Sequence, residues 1–147
     1  MWGLEPGTLF QYQSSNITPG GDVCPFPARD DFHPAEGLDL TTSRLDKTAI
    51  FAGDKQYSYQ ELHLNIEKFS RAMDLAPGSK AVIFSENREE WAFLLFGIWR
   101  CQATVVPMDA MSSAEDLSYM IGDCRPETVI CSDKTRPVAE EALASLD

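Results

Sequence analysis

Residues 81–107 read AVIFSENREEWAFLLFGIWRCQATVVP, and this stretch decides the fold. Two short apolar runs, Ala81 to Phe84 and Thr104 to Pro107, flank a segment of helical length. Continuously apolar runs this short fit strands covered on both faces. Asn87, with Glu90 three residues on, has the spacing that caps a helix from about Arg88 to Gln102. The predicted order is strand, helix, parallel strand, joined by a crossover.

The pattern continues downstream. Ser112 and Glu115 have capping-box spacing before Leu117, Met120, Ile121 and Cys124. Thr128 to Cys131 is a third apolar strand, and Thr135 is placed to cap a final helix with Pro137 in its first turn. Upstream, Thr48–Ala52 and Lys55–Ser58 flank Gly53-Asp54, a hairpin signal. Ser58 and Glu61 then open a helix whose apolar stripe is Leu62, Ile66, Phe69 and Met73, and Pro77-Gly78 stops it. The expected fold class is α/β: a partial doubly wound parallel sheet with a preceding β-hairpin.

Residues 1–44 differ in character and hold over half of the prolines and glycines. They are expected to form an irregular arm, with turns at Pro19-Gly20-Gly21 and Pro25-Phe26-Pro27. Trp2, Leu4, Leu9, Phe10, Tyr12, Phe26 and Phe32 are apolar anchors that would hold the arm on a larger surface. The expected division is therefore an arm, 1–44, and an α/β subdomain, 45–147.

The helix from Trp91 to Trp99 is apolar all round. Such a helix must be covered on nearly every side. Three strands and a hairpin cover one face, so Trp and Phe rings are expected in water, a patch that marks an interaction surface. The expected cover is the remainder of a longer enzyme packing on Trp91–Trp99, or a second subunit making an oligomer. The sequence stops at Asp147 still in helical rhythm, which points to the first of these.

Composition excludes several classes. With 23 acidic against 12 basic residues the net charge is −11, which argues against nucleic acid and against an anionic membrane surface. The longest apolar run, Trp91 to Trp99, is far short of the ~20 residues of a transmembrane helix. The first basic residue is Arg29, so a secretory signal is not expected, and the expected compartment is the cytoplasm. Cys24, Cys101, Cys124 and Cys131 form no C-x-x-C pair and read as reduced, packed thiols. His33 and His63 are not near a cysteine in sequence, and no zinc site is expected.

Signatures of chemistry are scarce. There is no P-loop, no G-x-G-x-x-G, no G-x-S-x-G and no H-E-x-x-H. Glu89-Glu90 and Glu115-Asp116 fall in first turns of predicted helices, where negative charge offsets the dipole. Asp30-Asp31 and Glu140-Glu141 carry no stronger reading than solvated charge. Asp109 follows a strand at the edge where parallel sheets bind ligands, as in a phosphorylated receiver domain. That fold also wants acids clustered after an earlier strand, where this chain has Ser85-Glu86-Asn87. Lys134 and Arg136, beside a predicted helix start, read as surface charges or as a phosphate contact. No catalytic, cofactor-binding or metal-binding residue is assigned.

In order, several of these segments resemble the start of the AMP-forming adenylate-forming enzymes, which include acyl-CoA synthetases, peptide-synthetase adenylation domains and luciferases. Leu45-Asp46-Lys47-Thr48-Ala49-Ile50 is similar to their entry strand. Tyr57-Ser58-Tyr59-Gln60-Glu61-Leu62 resembles their first core motif. Pro77-Gly78-Ser79-Lys80 resembles their Gly-Asp turn, with Ser79 in place of the acid. Asn87-Arg88-Glu89-Glu90-Trp91 is similar to the Asn-x-x-Glu-Trp stretch of the long-chain acyl-CoA synthetase branch. Ile98 to Asp109 resembles the second core motif, with Gln102 where the family usually has glycine. Ser118 to Cys124 resembles the helix before the family's third strand, and the likeness spans residues 45–133.

The resemblance implies a parent that is an ATP-dependent, AMP-forming acyl-CoA ligase acting on a fatty acid and using ATP, Mg and CoA. The family's phosphate loop, a Ser/Thr/Gly-rich segment ending in Pro-Lys-Gly, has no match here. The resemblance therefore implies an N-terminal portion that is scaffold without activity of its own. The alternatives are the start of a peptide-synthetase adenylation domain and a free-standing α/β module that binds a partner protein. It further offers the phosphates of CoA as the ligand if Lys134 or Arg136 has one.

Overall fold

The architecture is built around one strand. In the computed structural model, which describes residues 10–13 and 45–146, Lys80–Phe84 is that strand. Ala81, Val82, Ile83 and Phe84 are all 0% exposed, so both faces are covered as the apolar run requires. Their side chains alternate. Val82 and Phe84 pack with Leu117, Ile121, Ala139 and Ala142, whereas Ala81 and Ile83 pack with Leu94 and Ile98. Burying a side chain such as Ile83 or Phe84 contributes roughly 1.5–3 kcal/mol.

In chain order the elements are β1 (Phe10–Gln13), β2 (Thr48–Ala52), β3 (Lys55–Ser58), α1 (Tyr59–Met73), β4 (Lys80–Phe84), α2 (Glu89–Arg100), β5 (Thr104–Met108), α3 (Ala114–Cys124), β6 (Thr128–Cys131) and α4 (Arg136–Ala144). The main sheet has the order β1-β6-β4-β5. β6, β4 and β5 are parallel, and Ile83 pairs with Pro107 on one side and Ile130 on the other. The connection from β5 to β6 passes over β4, so α2 covers one face and α3 and α4 the other. This is the partial doubly wound α/β sheet expected, with the β2–β3 hairpin beside it.

One strand was not expected. Phe10–Gln13, inside the segment read as an irregular arm, pairs antiparallel with β6 at Phe10↔Cys131 and Tyr12↔Val129. Its alternation of aromatic and Gln residues is a strand signal, masked by the Gly- and Pro-rich residues around it. The turns expected at Pro19-Gly20-Gly21 and Pro25-Phe26-Pro27 lie outside the described residues.

The hairpin and α1 form as read. Gly53 has φ 59, the left-handed conformation a tight turn needs. The Ser58 side chain accepts from Glu61 N while the Glu61 carboxylate accepts from Ser58 N at 2.8 Å, a complete capping box. Leu62, Ile66 and Met73 of the predicted stripe are buried. The helix ends at Met73, ahead of Pro77, because Asp74 turns left-handed at φ 47.

Three details at helix starts differ from expectation. At α2 the N-cap position is Arg88, not Asn87, and Glu90 pairs with the Arg88 guanidinium at 2.7 Å instead of reaching back to the backbone. At α3 the cap is Ser113 with Asp116, one residue after the Ser112–Glu115 pair. Ser112 N is drawn into a turn by Asp109 O, which leaves Ser113 as the first hydroxyl able to cap. At α4 Thr135 holds the N-cap position and Pro137 the first turn, but the threonine hydroxyl donates to Phe84 O instead of capping.

The apolar helix α2 is covered largely from within the chain. Leu94 and Ile98 face the sheet, and Phe93 packs with Leu62 and Ile66 of α1. α1 lies so close that a Cβ on Gly97 would sit 3.0 Å from Met73 Cε and 3.4 Å from Ser70 N. The rings expected in water are half-buried: Trp91 packs against the sheet-side cluster, Phe96 against the hairpin-side cluster, and Trp99 edge-on to Phe96 at 5.7 Å. The expectation gave too little weight to α1 as a third layer. Among the described residues the large apolar ones that do stand exposed are Phe51, Leu64, Met111, Tyr119 and Leu146.

Candidate functional site

Parallel sheets bind ligands at the carboxyl ends of strands, where the chain switches direction. Here the switch lies between β4 and β6: they are neighbours, yet α2 follows one onto one face and α4 follows the other onto the opposite face. Ser85-Glu86-Asn87 leads out of β4, and Ser132-Asp133-Lys134 leads out of β6.

Polar groups bridge this crevice. Ser132 Oγ donates to Glu86 Oε2 at 2.6 Å, and Thr135 Oγ1 donates to Phe84 O at 2.6 Å. Ser132 N donates to Thr135 Oγ1 at 3.1 Å. Ser132 and Thr135 are buried at 0% and 4% exposure, so their polar atoms need hydrogen-bond partners. The Ser132 hydroxyl holds the Glu86 carboxyl below the usual carboxylate range against the opposing effect of burial, and the charges of Arg88 and Lys134 act in the same direction.

Beside the crevice, on the hairpin side, lies an open groove of about 540 Å³. Ile50, Phe51 and Gly53 line one wall, and Asn87, Arg88 and Ala92 the other. At its end Glu89 accepts from Lys55 Nζ at 2.7 Å and from Tyr57 Oη at 3.1 Å. The Lys55 contact is the main cause holding the Glu89 carboxyl below its ordinary value, whereas burial and the same carboxylate push the Tyr57 phenol up. The groove mixes apolar walls with charges already paired to one another.

The residues considered from sequence are not brought together. Asp109 is exposed, and its Oδ1 accepts from Met111 N, a turn role. Arg136 pairs with Glu140 at 2.6 Å, and Lys134 is exposed. Glu115 and Asp116 begin α3, and Glu140 and Glu141 lie exposed on α4. Cys101, Cys124 and Cys131 are thiols, and burial pushes Cys131 up to about 11. Among the described residues no group of His, Cys, Asp and Glu is arranged to hold a metal ion. The charge at the mouth of the crevice is the Glu86 carboxylate, with Arg88 and Lys134 acting on it.

Sequence reasoning did not single out Ser132, read Thr135 only as a helix cap, and missed the role of Glu86. The two bridges join residues 46 and 51 positions apart. The available signal was positional: polar residues directly after two apolar strands of a parallel sheet.

Comparison with known proteins decides the family. The model of the AMP-binding enzymes matches residues 40–147. The chain belongs to the AMP-binding enzyme family. It is 31% identical over 110 residues to long chain acyl-CoA synthetase 8 of Arabidopsis thaliana, covering 64% of this chain and 15% of that protein. It is 27% identical over 84 residues to the hybrid PKS-NRPS synthetase gkaA of Penicillium citrinum, covering 55% of this chain and 2% of that protein. The fold matches a benzoate CoA ligase from Burkholderia xenovorans with a TM-score of 0.72 at 21% identity, over 78% of this chain and 24% of that one. The chain thus spans a small part of the relatives it matches.

Membership gives the motifs a structural meaning in this chain. In the first core motif Tyr57 holds Glu89, Ser58 and Glu61 cap α1, and Leu62 is core. In the second, Gln102 has φ 58, and β5 follows. No helix among the described residues is long and apolar enough to cross a membrane.

Proposed function

We propose that this chain forms the first part of the adenylating domain of an AMP-forming acyl-CoA ligase that acts on fatty acids in the cytoplasm. The observation that carries this is the family match over 40–147 together with 31% identity to a long-chain acyl-CoA synthetase. The parent would join a carboxylate to AMP, release pyrophosphate, and pass the acyl group to CoA. ATP, Mg and CoA supply that chemistry when bound. The residues of this chain supply rigidity: a doubly covered sheet, a capped α1 and a bridged crevice on which further parts of the domain rest. The 147-residue chain alone is scaffold.

The matches to hybrid and peptide synthetases favour a second reading, an adenylation domain that activates an amino acid. One experiment separates the two. The longer protein is incubated with ATP, Mg and either fatty acids of graded length or the proteinogenic amino acids, with and without CoA. CoA-dependent AMP release with fatty acids supports the ligase. Pyrophosphate exchange driven by an amino acid and indifferent to CoA sinks it in favour of the second reading. Pyrophosphate exchange by the 147-residue chain alone would overturn the scaffold role.

A further inference from the structure

Of the two bridges across the β4/β6 crevice, the inner one is a buried bond from a hydroxyl to the backbone. Thr135 Oγ1 reaches Phe84 O, ties the β6–α4 turn to the end of β4, and is itself buried. The outer bridge is of another kind. It brings a charged carboxylate to a buried hydroxyl at the mouth of the crevice, where desolvation opposes the charge. Ser132 already has contact with Thr135 Oγ1 at 3.1 Å, so its hydroxyl has a neutral partner available. A carboxylate there is therefore in excess of what burial of Ser132 demands.

The outer bridge also joins two parts that belong to different faces. Glu86 sits on the loop that feeds α2, and Ser132 on the turn that feeds α4. Arg88 and Lys134 bear on the same carboxylate, one from each side. We propose that Glu86 is a strap: by gripping Ser132 it sets the spacing of the β4–α2 loop and the β6–α4 turn, and so positions the ligand-facing edge of the sheet. Glu86 and Ser132 are positioning residues here and touch no reacting atom. The activity part of the test rests on the ligase reading, whereas the exchange part does not.

The test uses Glu86→Gln, Glu86→Ala and Ser132→Ala. Amide hydrogen exchange is read residue by residue in the 147-residue chain, and steady-state kinetics in the longer protein. A charged hydrogen bond lost at this point speeds exchange of the loop and turn amides, 85–88 and 132–136, about tenfold or more. Amides of β4 and α1 stay as slow as before. Glu86→Gln, which keeps an acceptor, falls between wild type and Glu86→Ala. In the longer protein KM for at least one of carboxylate, ATP and CoA rises about fivefold or more while kcat stays within twofold. The double variant Glu86→Ala/Ser132→Ala is no worse than Ser132→Ala, which removes the Glu86 contact together with the Ser132 hydroxyl's contacts to Thr135.

Unchanged exchange at the two loops overturns the strap, as does a uniform rise across the whole chain, the mark of a merely structural bond. Local loosening with every KM unchanged overturns the positioning role. A longer protein that activates no carboxylate at all refutes the ligase reading, and the exchange pattern then decides the strap by itself.

Discussion

Replacing Gln102 by Gly should stabilise this chain. Gln102 follows α2 with φ 58, in the left-handed region. Its N–H donates to Trp99 O at 2.9 Å, and Ala103 N donates to Ile98 O at 3.2 Å. These are the two bonds of a Schellman motif, and Gln102 occupies the position that glycine favours. Its carbonyl accepts from Gly78 N at 2.8 Å, so the conformation is tied to the turn before β4 and cannot relax. A side chain in this conformation costs about 1–2 kcal/mol. Glycine avoids that but loses about 0.5–1 kcal/mol through the freedom of the unfolded chain. The difference is a gain of about 0.5–1 kcal/mol, or roughly 2–5 °C in Tm for about 100 residues. The Gln102 side chain is exposed, so little is lost with it. Thermal and urea denaturation of Gln102→Gly and Gln102→Ala against wild type make the check. The alanine variant keeps the unfavourable φ and should change stability by less than about 0.5 kcal/mol. If the glycine variant is no more stable than wild type, the cost is not in the backbone and the reasoning fails.

Gly97→Leu should cost about 3 kcal/mol, because α1 leaves no room for a side chain. Gly97→Ala should stay within about 1 kcal/mol, since the Met73 methyl can yield and alanine favours the helix. Urea midpoints decide, and an unchanged midpoint for the leucine variant would mean the helices are not in tight contact. Glu61, Glu86 and Glu89 are all held below the ordinary carboxyl value of 4.5 in the folded chain. The unfolded chain therefore binds more protons as pH falls, so stability is complete above about pH 4.5 and is lost below it. Thermal melts should be level from about pH 7 to 5.5 and fall below about pH 4.5. Glu89→Gln should make the fall shallower, and an unaltered fall would show that Glu89 gains nothing from Lys55 and Tyr57. Cys131, at about 11, should resist iodoacetamide near pH 7.5 in the native chain and react in urea. Labelling at the unfolded rate would contradict its burial.

The sequence was legible where a local rule and the global fold agree. Ala81 to Phe84 is apolar at every position and too short for a helix, and a strand with two covered faces accommodates that. Ser58 and Glu61 have one reciprocal partner each, so the cap was readable. Where two neighbours could fill one role, spacing did not choose. Ser112 and Ser113 both precede an acid by three residues, and the turn at Asp109 selects the second. Arg88 and Glu90 satisfy each other, which removes the box expected at Asn87. The crevice was the least legible part. Ser132 and Thr135 lie three residues apart in one turn, but nothing in the spacing ties them to Glu86 or Phe84, since those contacts exist only once β4 and β6 lie side by side.

The departure at Gln102 bears on how the family resemblance should be weighed. A motif residue can be shared because it touches substrate or because the backbone requires it. At Gln102 the second explanation holds, since φ is positive and both Schellman bonds form. A glycine in that motif is then a conformational preference, and replacing it costs about a kilocalorie per mole, not the reaction. The same applies to Ser58 and Glu61, which cap α1. Sequence matches in this part of the domain therefore report a shared scaffold and carry little information about the substrate. Relatives as different as a long-chain acyl-CoA synthetase and a hybrid peptide synthetase both match this chain. Choosing between the two proposed readings must come from residues that contact substrate, and the motif residues of this chain are engaged in holding helices and strands in place.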